Sequence, residues 1–181
     1  MKQRLLLHAC CGPCLLEPLD IWSDSFEVEV FFFNPNIHPT AEHELRREAL
    51  QKYADAHSIL IHDPGYRPLQ WIEAVGSDET NRCKECYMLR LAGAAKFARD
   101  NVFDVFATTL AVSPYQNQGD IAAAGEMASK RFGIPFVYSD MTDRHRSAVE
   151  RSRAMGMYRQ NYCGCAQSMP KPKLKSRKSV G

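Results

Sequence analysis

The 181-residue sequence contains no apolar run long enough to cross a bilayer, no internal repeat and no large excess of charge of one sign, its net charge being +2. A helical span needs about 20 consecutive apolar residues, so a membrane-spanning role is excluded. The N-terminal stretch MKQRLLLHACC begins basic, but its apolar part stops at His8, short of the core that a secretory signal requires. These absences place the chain in the cytoplasm, away from membranes. Disulfide struts are not called for either, because a chain of about 150 residues already buries roughly two-thirds of its unfolded surface.

Seven cysteines are nevertheless present, and they fall in three knots: Cys10-Cys11 with Cys14, Cys83 with Cys86, and Cys163 with Cys165. In a reducing compartment, clustered cysteines point to metal or redox chemistry. The odd count agrees.

Residues between the knots alternate between two periods. Strand patterns occupy Arg4–Leu7, Glu27–Phe33, Ile59–Ile61, Phe103–Ala107 and Pro135–Tyr138. Helical patterns occupy Cys14–Trp22, Ala41–His57 behind Thr40 as N-cap, Arg67–Val75, Cys83–Arg99, Gln118–Phe132 closed by Gly133, and Arg144–Met155 closed by Gly156. Thr108–Asn117 is expected as a polar loop, and Tyr158–Cys165 as irregular. Strands alternating with helices predict an α/β fold: a Rossmann-like, doubly wound parallel sheet with helices on both faces. Ligands of such sheets gather beyond the carboxyl ends of the strands. Cys10-Cys11, Asn34–His38 and Thr108–Ser113 all follow strands there, so a metal site is expected in one shared crevice. Residues 1–169 are read as a single catalytic domain and 170–181 as a basic, disordered tail.

The spacings constrain the chemistry. Cys83 and Cys86 open a helix, where free N–H groups and the helix dipole favour thiolates and an i, i+3 pair shares one face. Buried, inert cysteines would account for one CxxC more easily than for three knots. Adjacent strand residues point to opposite faces, so Cys10 and Cys11 reach one centre only if the backbone breaks, and Gly12-Pro13 supplies the break. Cys14, one helical turn on, can replace either. Four thiolates suit zinc or an iron–sulfur cluster; a centre in the main crevice, rather than in a separate knob, favours iron–sulfur. Cys163-Gly164-Cys165 would close a small, strained and easily reduced disulfide ring, a natural two-electron store, unless both are metal ligands or unpaired thiols.

Taken together and in order, HACCGPC, NPNIHP, RCKECYMLRL, ATTLAVSPYQN and YRQNYCGCAQS resemble the cobalamin-independent epoxyqueuosine reductases, which complete queuosine in tRNA. The likeness runs from His8 to about Ser168. It implies a [4Fe-4S] cluster on Cys10, Cys11, Cys83 and Cys86, with Cys163 and Cys165 as the redox-active, catalytic pair or as holders of an additional iron ion. Cys14 then lies near the cluster, or becomes a ligand if Cys10 is freed for that iron. It also implies tRNA carrying epoxyqueuosine in its anticodon loop as partner, together with an external electron donor. One departure stands out: the family's aspartate–aromatic–arginine–lysine run is replaced by Asp140-Met141-Thr142-Asp143-Arg144-His145-Arg146. Its role passes to Arg144 or Arg146 if that run contacts substrate.

Further candidates share the expected crevice. His8 can orient a thiolate or simply pack. His38, Tyr115, Gln116 and Asn117 can meet substrate, or face solvent. Arg82, Arg90 and Arg159 can meet phosphates or be ordinary surface charges. Tyr158 and Tyr162 can stack on a base or pack. Two rivals remain. An ATP-pyrophosphatase-like enzyme would need a Gly/Ser-rich phosphate loop after the first strand, where CCGPC stands instead. A zinc-binding RNA adaptor would be colourless and redox-inert.

Charge is uneven along the chain. The stretch from Pro170 to Gly181 carries five cations and no acid, which leaves the body at −3. That tail is either a solubilising end or a phosphate-seeking arm. As an arm, its deletion weakens tRNA binding and flattens the salt dependence of affinity; unchanged affinity in a filter-binding titration would show it to be idle.

Overall fold

The computed structural model describes residues 2–76 and 80–170. Most of the basic tail, from residue 171 on, lies outside the described residues. Among these residues no helix is long and apolar enough to cross a membrane.

Four parallel strands form the sheet: β1 (Gln3–His8), β2 (Phe26–Phe31), β3 (Ile61–His62) and β4 (Val105–Thr108), in the order β3-β2-β1-β4. Six helices connect them: α1 (Gly12–Ser23), α2 (Thr40–Ala56), α3 (Pro68–Val75), α4 (Arg82–Asp100), α5 (Gln118–Phe132) and α6 (His145–Ala154). Alternation along β1 explains how both faces are covered, since successive side chains point opposite ways. Leu5 and Leu7 pack with Val30, Val105 and Ala107 against Leu15, Leu16 and Leu19 of α1 and Leu50 and Tyr53 of α2. Leu6 points the other way and packs with Phe31 and Phe106 against Leu91, Ala94, Ala95 and Ala98 of α4 and Ile121, Ala124 and Ala128 of α5. Each fully buried leucine contributes about 1.5–3 kcal/mol relative to exposure, so the two layers fix the strand faces. This is the doubly wound sheet expected.

The helix ends follow local chemistry. Asn117 caps α5, its Oδ1 accepting the Asp120 N–H at 3.0 Å, and Gly133 ends it at φ +68°, the left-handed position that glycine tolerates best. Pro13 sits in the first turn of α1, and Pro18 does not end that helix.

Four sequence expectations change: Thr40 is the first residue of α2, whose N-cap is Pro39, the third strand is Ile61–His62 and not Ile59–Ile61, and two stretches around β4 differ. Pro135–Tyr138 is not a full strand: it makes one bridge, Phe106 to Phe136, with Phe106 N–H on Pro135 O and Val137 N–H on Phe106 O. Pro135 has no N–H to give a ladder, and the Tyr138 hydroxyl turns to donate to Gln118 Oε1 at 2.8 Å. The stretch after β4 is not wholly a polar loop. Thr109–Val112 coils into a buried 3-10 turn, because Leu110 packs in the α4–α5 layer and Val112 packs beside Ala148 of α6.

Gly125 of α5 lies against the Phe136 ring, and an added Cβ would fall 2.1 Å from Phe136 Cε1. Overpacking of this kind costs about 1–3 kcal/mol. Gly125→Ala therefore lowers the urea midpoint by the corresponding amount without changing the m-value; an unchanged midpoint would mean that the ring moves freely.

Candidate metal and redox centre

Strand order reverses between β1 and β4, and the crevice opens beyond their carboxyl ends, as expected at a topological switch point. Cys10 follows β1 and Thr109 follows β4; the Cys10 N–H meets Thr109 Oγ1 at 3.4 Å. The cavity is about 630 Å³ and is lined by Cys10, Cys14, Cys83, Cys163 and Cys165. Cys11 and Cys86 are buried just behind it. Segments more than a hundred residues apart thus bring their sulfurs to one place.

Within the first knot the three Sγ atoms lie within 4.8 Å of one another, and Cys10 and Cys11 are 3.6 Å apart. Cys11 precedes α1 in an extended conformation, at φ −171°, and Gly12-Pro13 turns the chain so that Cys14 closes the triad. Hydrogen bonds from Cys11 and Cys14 hold the Cys10 thiol well below the usual range, while burial pushes Cys11 up and the bond to Cys10 pushes Cys14 up. This triad can hold a metal ion.

Cys83 and Cys86 occupy the start of α4. Cys83 is exposed on the crevice wall; Cys86 packs with Trp71, Val75 and Cys165. Burial raises the Cys86 thiol. Cys163 and Cys165 are free thiols, Cys163 exposed and Cys165 buried. A hydrogen bond from Cys163 lowers Cys165 to about 5, helped by the Ser168 hydroxyl at 3.3 Å. Cys163 is raised in exchange.

Gly164 is demanded by its surroundings. It sits at φ +125°, and a Cβ would lie 3.0 Å from Ile37 Cγ1 and 3.3 Å from both Asn36 Nδ2 and Arg46 Nη1. Its carbonyl accepts the His38 N–H at 2.7 Å. Arg46, 1% exposed, secures the same segment: Nε donates to Glu42 Oε1 at 2.7 Å, Nη1 to Cys163 O and Nη2 to Tyr162 O, both at 3.0 Å. Burial opposes its charge, but Cys11 and Glu42 outweigh burial. Glu42 also accepts the Tyr158 hydroxyl at 2.5 Å.

Arg90 is the second buried cation, also 1% exposed. It donates to Asn34 Oδ1 at 2.8 Å. Burial again opposes its charge, and the sulfurs of Cys86, Cys10 and Cys163 restore it. It is therefore neither a phosphate contact nor a surface charge. Arg82 and Arg159 do line the crevice.

The remaining candidates divide cleanly. His8 is a packing strut: Nδ1 meets Thr108 Oγ1 at 2.9 Å, Nε2 meets Phe33 O at 3.1 Å, and burial pushes its pKa down to about 3. His38 stands on Trp71, with ring centroids 5.4 Å apart, and its Nδ1 lies 3.2 Å from the Tyr66 hydroxyl. Gln116 donates to Cys163 Sγ at 3.7 Å and accepts the Tyr87 hydroxyl at 2.7 Å. The Asn117 side chain serves as the α5 cap. Tyr158 and Tyr162 pack by their hydroxyls, Tyr162 onto the His38 carbonyl. Arg144 and Arg146 turn to Glu17 and Glu150, leaving His145 on the crevice wall.

Sequence reasoning overlooked Arg46, Asn36, Trp71 and Gln160. Gln160 donates to Cys11 Sγ at 2.9 Å. Arg46 had a signal: it stands one turn before Leu50 on the apolar stripe of α2. Asn36, with no exposed surface, leaves both amide atoms without a hydrogen bond, as do His38 Nε2, Trp71 Nε1, Arg90 Nε and Gln160 Oε1. Buried polar atoms are rarely left so. Here they lie among the residues that surround the cysteine knots.

Removing one partner of a buried ion pair strands the other and costs about 3–5 kcal/mol. Arg46→Met accordingly lowers the unfolding free energy by that order and increases hydrogen exchange at residues 158–165. Protection unchanged from the parent protein would show that the segment is held by other contacts.

The geometry can be set beside known proteins. The family model described as epoxyqueuosine reductase QueH matches residues 5–171. An epoxyqueuosine reductase QueH from Dehalococcoides mccartyi is 34% identical over 170 residues, 93% of each chain. One from Thermotoga maritima is 34% identical over 175 residues, 91% of this chain and 90% of the relative. Among solved structures, the U34-tRNA thiolase NcsA from Methanococcus maripaludis with its [4Fe-4S] cluster superposes with a TM-score of 0.58 at 11% identity, over 94% of this chain and 63% of the thiolase. That likeness is one of fold: a Rossmann-like sheet with helices. With the family model spanning nearly all of it and such relatives aligned along most of their length, the chain belongs to the epoxyqueuosine reductase QueH family.

Proposed function

We propose that this protein removes the epoxide oxygen of epoxyqueuosine in tRNA to give queuosine, with residues 1–169 acting as one catalytic domain. The observation that carries this reading is the convergence of three cysteine knots on a single crevice around Arg90. The donor set and the unpaired N–H groups of Asn36, Trp71 and Arg90 fit a [4Fe-4S] cluster, with Cys10, Cys11, Cys83 and Cys86 as its holders. When bound, such a cluster supplies one-electron transfer and, at an exposed iron, Lewis acidity.

The chain's own residues account for the rest. Converting an epoxide to an alkene consumes two electrons and two protons and releases water. Closing the Cys163–Cys165 disulfide releases two electrons and two protons, so dithiol plus epoxide gives disulfide, alkene and water in balance. Cys163 is exposed to the crevice and Cys165 buried behind it. The low-pKa Cys165 sulfur and the raised Cys163 thiol, one residue apart, provide one thiolate and one proton donor. Gln116 orients Cys163, and Ser168 orients Cys165. Arg46 holds the carbonyls on the N-terminal side of the pair. An external electron donor then restores the dithiol. Arg82 and Arg159 provide positive charge for the tRNA backbone.

Anaerobic purification followed by iron and sulfide analysis tests the assignment. About four irons with matching sulfide are expected; a fifth would mark an additional iron ion. Serine at Cys10, Cys11, Cys83 or Cys86 is expected to lower the iron content. Serine at Cys163 and Cys165 is expected to keep the cluster and abolish deoxygenation. Iron loss in Cys14→Ser with retention in Cys10→Ser would assign Cys14 in place of Cys10. A colourless zinc protein that leaves epoxyqueuosine tRNA unchanged would overturn the proposal.

A further inference from the structure

Tyr115 is 88% exposed, the most exposed large apolar side chain among the described residues, yet it lines the cysteine crevice. Packing does not require it there. The loop that carries it is nevertheless held firmly. Its own N–H meets Ser113 Oγ at 3.4 Å, and the Gln116 N–H meets Ser113 O at 3.2 Å. Gln118 Nε2 donates to Ser113 O at 2.9 Å, while Gln118 Oε1 accepts the Tyr138 hydroxyl at 2.8 Å. Pro114 stiffens the same turn. The ring is thus presented by a rigid scaffold and left uncovered, with His145 standing edge-on at 5.7 Å and 88°.

Its position is as telling as its exposure. The next residue, Gln116, donates its amide to Cys163 Sγ at 3.7 Å. A ring one residue away from that contact stands at the lip of the pocket that would receive the reacting base. Arg159, exposed, and Arg82 line the same cavity. An uncovered aromatic face in a cavity also lined by guanidinium groups is the combination that grips unstacked bases of single-stranded RNA and their phosphates.

We propose that Tyr115 is a stacking platform for a nucleobase next to the reacting nucleotide in the RNA loop. This rests on the function proposed above and adds to it a specificity-determining contact outside the redox machinery. The platform reads loop structure rather than the epoxide, so it separates substrate embedded in an RNA loop from the free modified nucleoside.

Two variants and two substrates test this. Tyr115→Ala weakens binding of an unmodified anticodon stem–loop RNA, followed by fluorescence anisotropy, by roughly ten- to a hundredfold, the range measured when a base–aromatic stack is removed. It raises KM for epoxyqueuosine tRNA by a similar factor and leaves kcat unchanged. Tyr115→Phe keeps the π-face and retains parent affinity. Turnover of the free epoxyqueuosine nucleoside is the same in all three proteins, as is the melting temperature. Parent affinity in Tyr115→Ala overturns the platform, as does a loss in Tyr115→Phe equal to that in Tyr115→Ala. An equal loss of turnover on the free nucleoside also overturns it, by placing Tyr115 on the reacting base. If the parent protein leaves epoxyqueuosine intact, the assigned activity fails, while the RNA-binding comparison still decides the platform.

Discussion

A guanidinium group enters a protein interior only where acceptors and negative charge replace the water it leaves. Here two do so at the same crevice. Arg46 is met by Glu42 and two carbonyls; Arg90 is met by Asn34 and by the sulfurs of Cys86, Cys10 and Cys163. The dependence runs both ways. Thiols buried in apolar surroundings resist ionisation, and both cations oppose that resistance at Cys10, Arg46 alone at Cys11. Without the sulfurs, Arg90 would hold a charge with a single neutral acceptor. Charge and countercharge are therefore buried together, and neither knot of residues makes sense alone.

The fold supplies the geometry for this pairing. Arg46 comes from α2, which packs on the Leu5–Leu7 face of the sheet, and Arg90 comes from α4, which packs on the Leu6 face. The two helices reach past the carboxyl edge of the strands from opposite sides. Between them, the chain leaving β1 must turn sharply, and Gly12 and Pro13 permit that turn. The loop after β2 contributes Asn34, which ties itself to the Ala9 carbonyl at 2.9 Å while accepting from Arg90. The crevice is thus the product of three strand ends and two helices, each held by its own hydrophobic layer.

How much of this was legible in the sequence depended on the period of each signal. The strong apolar runs at Leu5–Leu7 and Val30–Phe33 and the long helical patterns were readable because buried layers impose them. Cysteine knots were readable because few other functions cluster thiols so tightly. The fifth strand misled: Pro135–Tyr138 has the right residue types, but a proline without an N–H and a tyrosine drawn to Gln118 reduce it to one bridge. Of the buried cations, Arg46 was missed and Arg90 was read as a surface or phosphate-facing charge, because an arginine on a helix ordinarily signals solvent. Yet Arg90 lies four residues after Cys86, on one face with it, and Arg46 lies four residues before Leu50. Read by helical position instead of by residue type, both fall on the inward face. Asn36 and Trp71 had no such signal, since their roles arise from contacts between loops and helices that only the folded chain makes.

The centre also has a long-range requirement that no local motif shows. The carbonyls that complete Arg46 lie 116 and 117 residues further along the chain. Gly164 reaches the loop after β2 in the same way, through His38. Until the segment around residues 158–165 has folded back, Arg46 lacks two of its acceptors and the crevice lacks a wall. Even then Asn36, His38, Trp71 and Gln160 keep unpaired atoms in the interior. A group that satisfies such atoms binds with the whole tertiary structure behind it, since ligand binding of this kind is coupled to folding. Interior and rim are thereby set apart by physical chemistry. The interior holds polar atoms waiting for partners, and the rim holds an uncovered aromatic ring and charges in contact with water. Burial fixes dielectric and geometry in the first environment, which suits electron transfer; the second suits contact with a flexible, charged polymer, as proposed above.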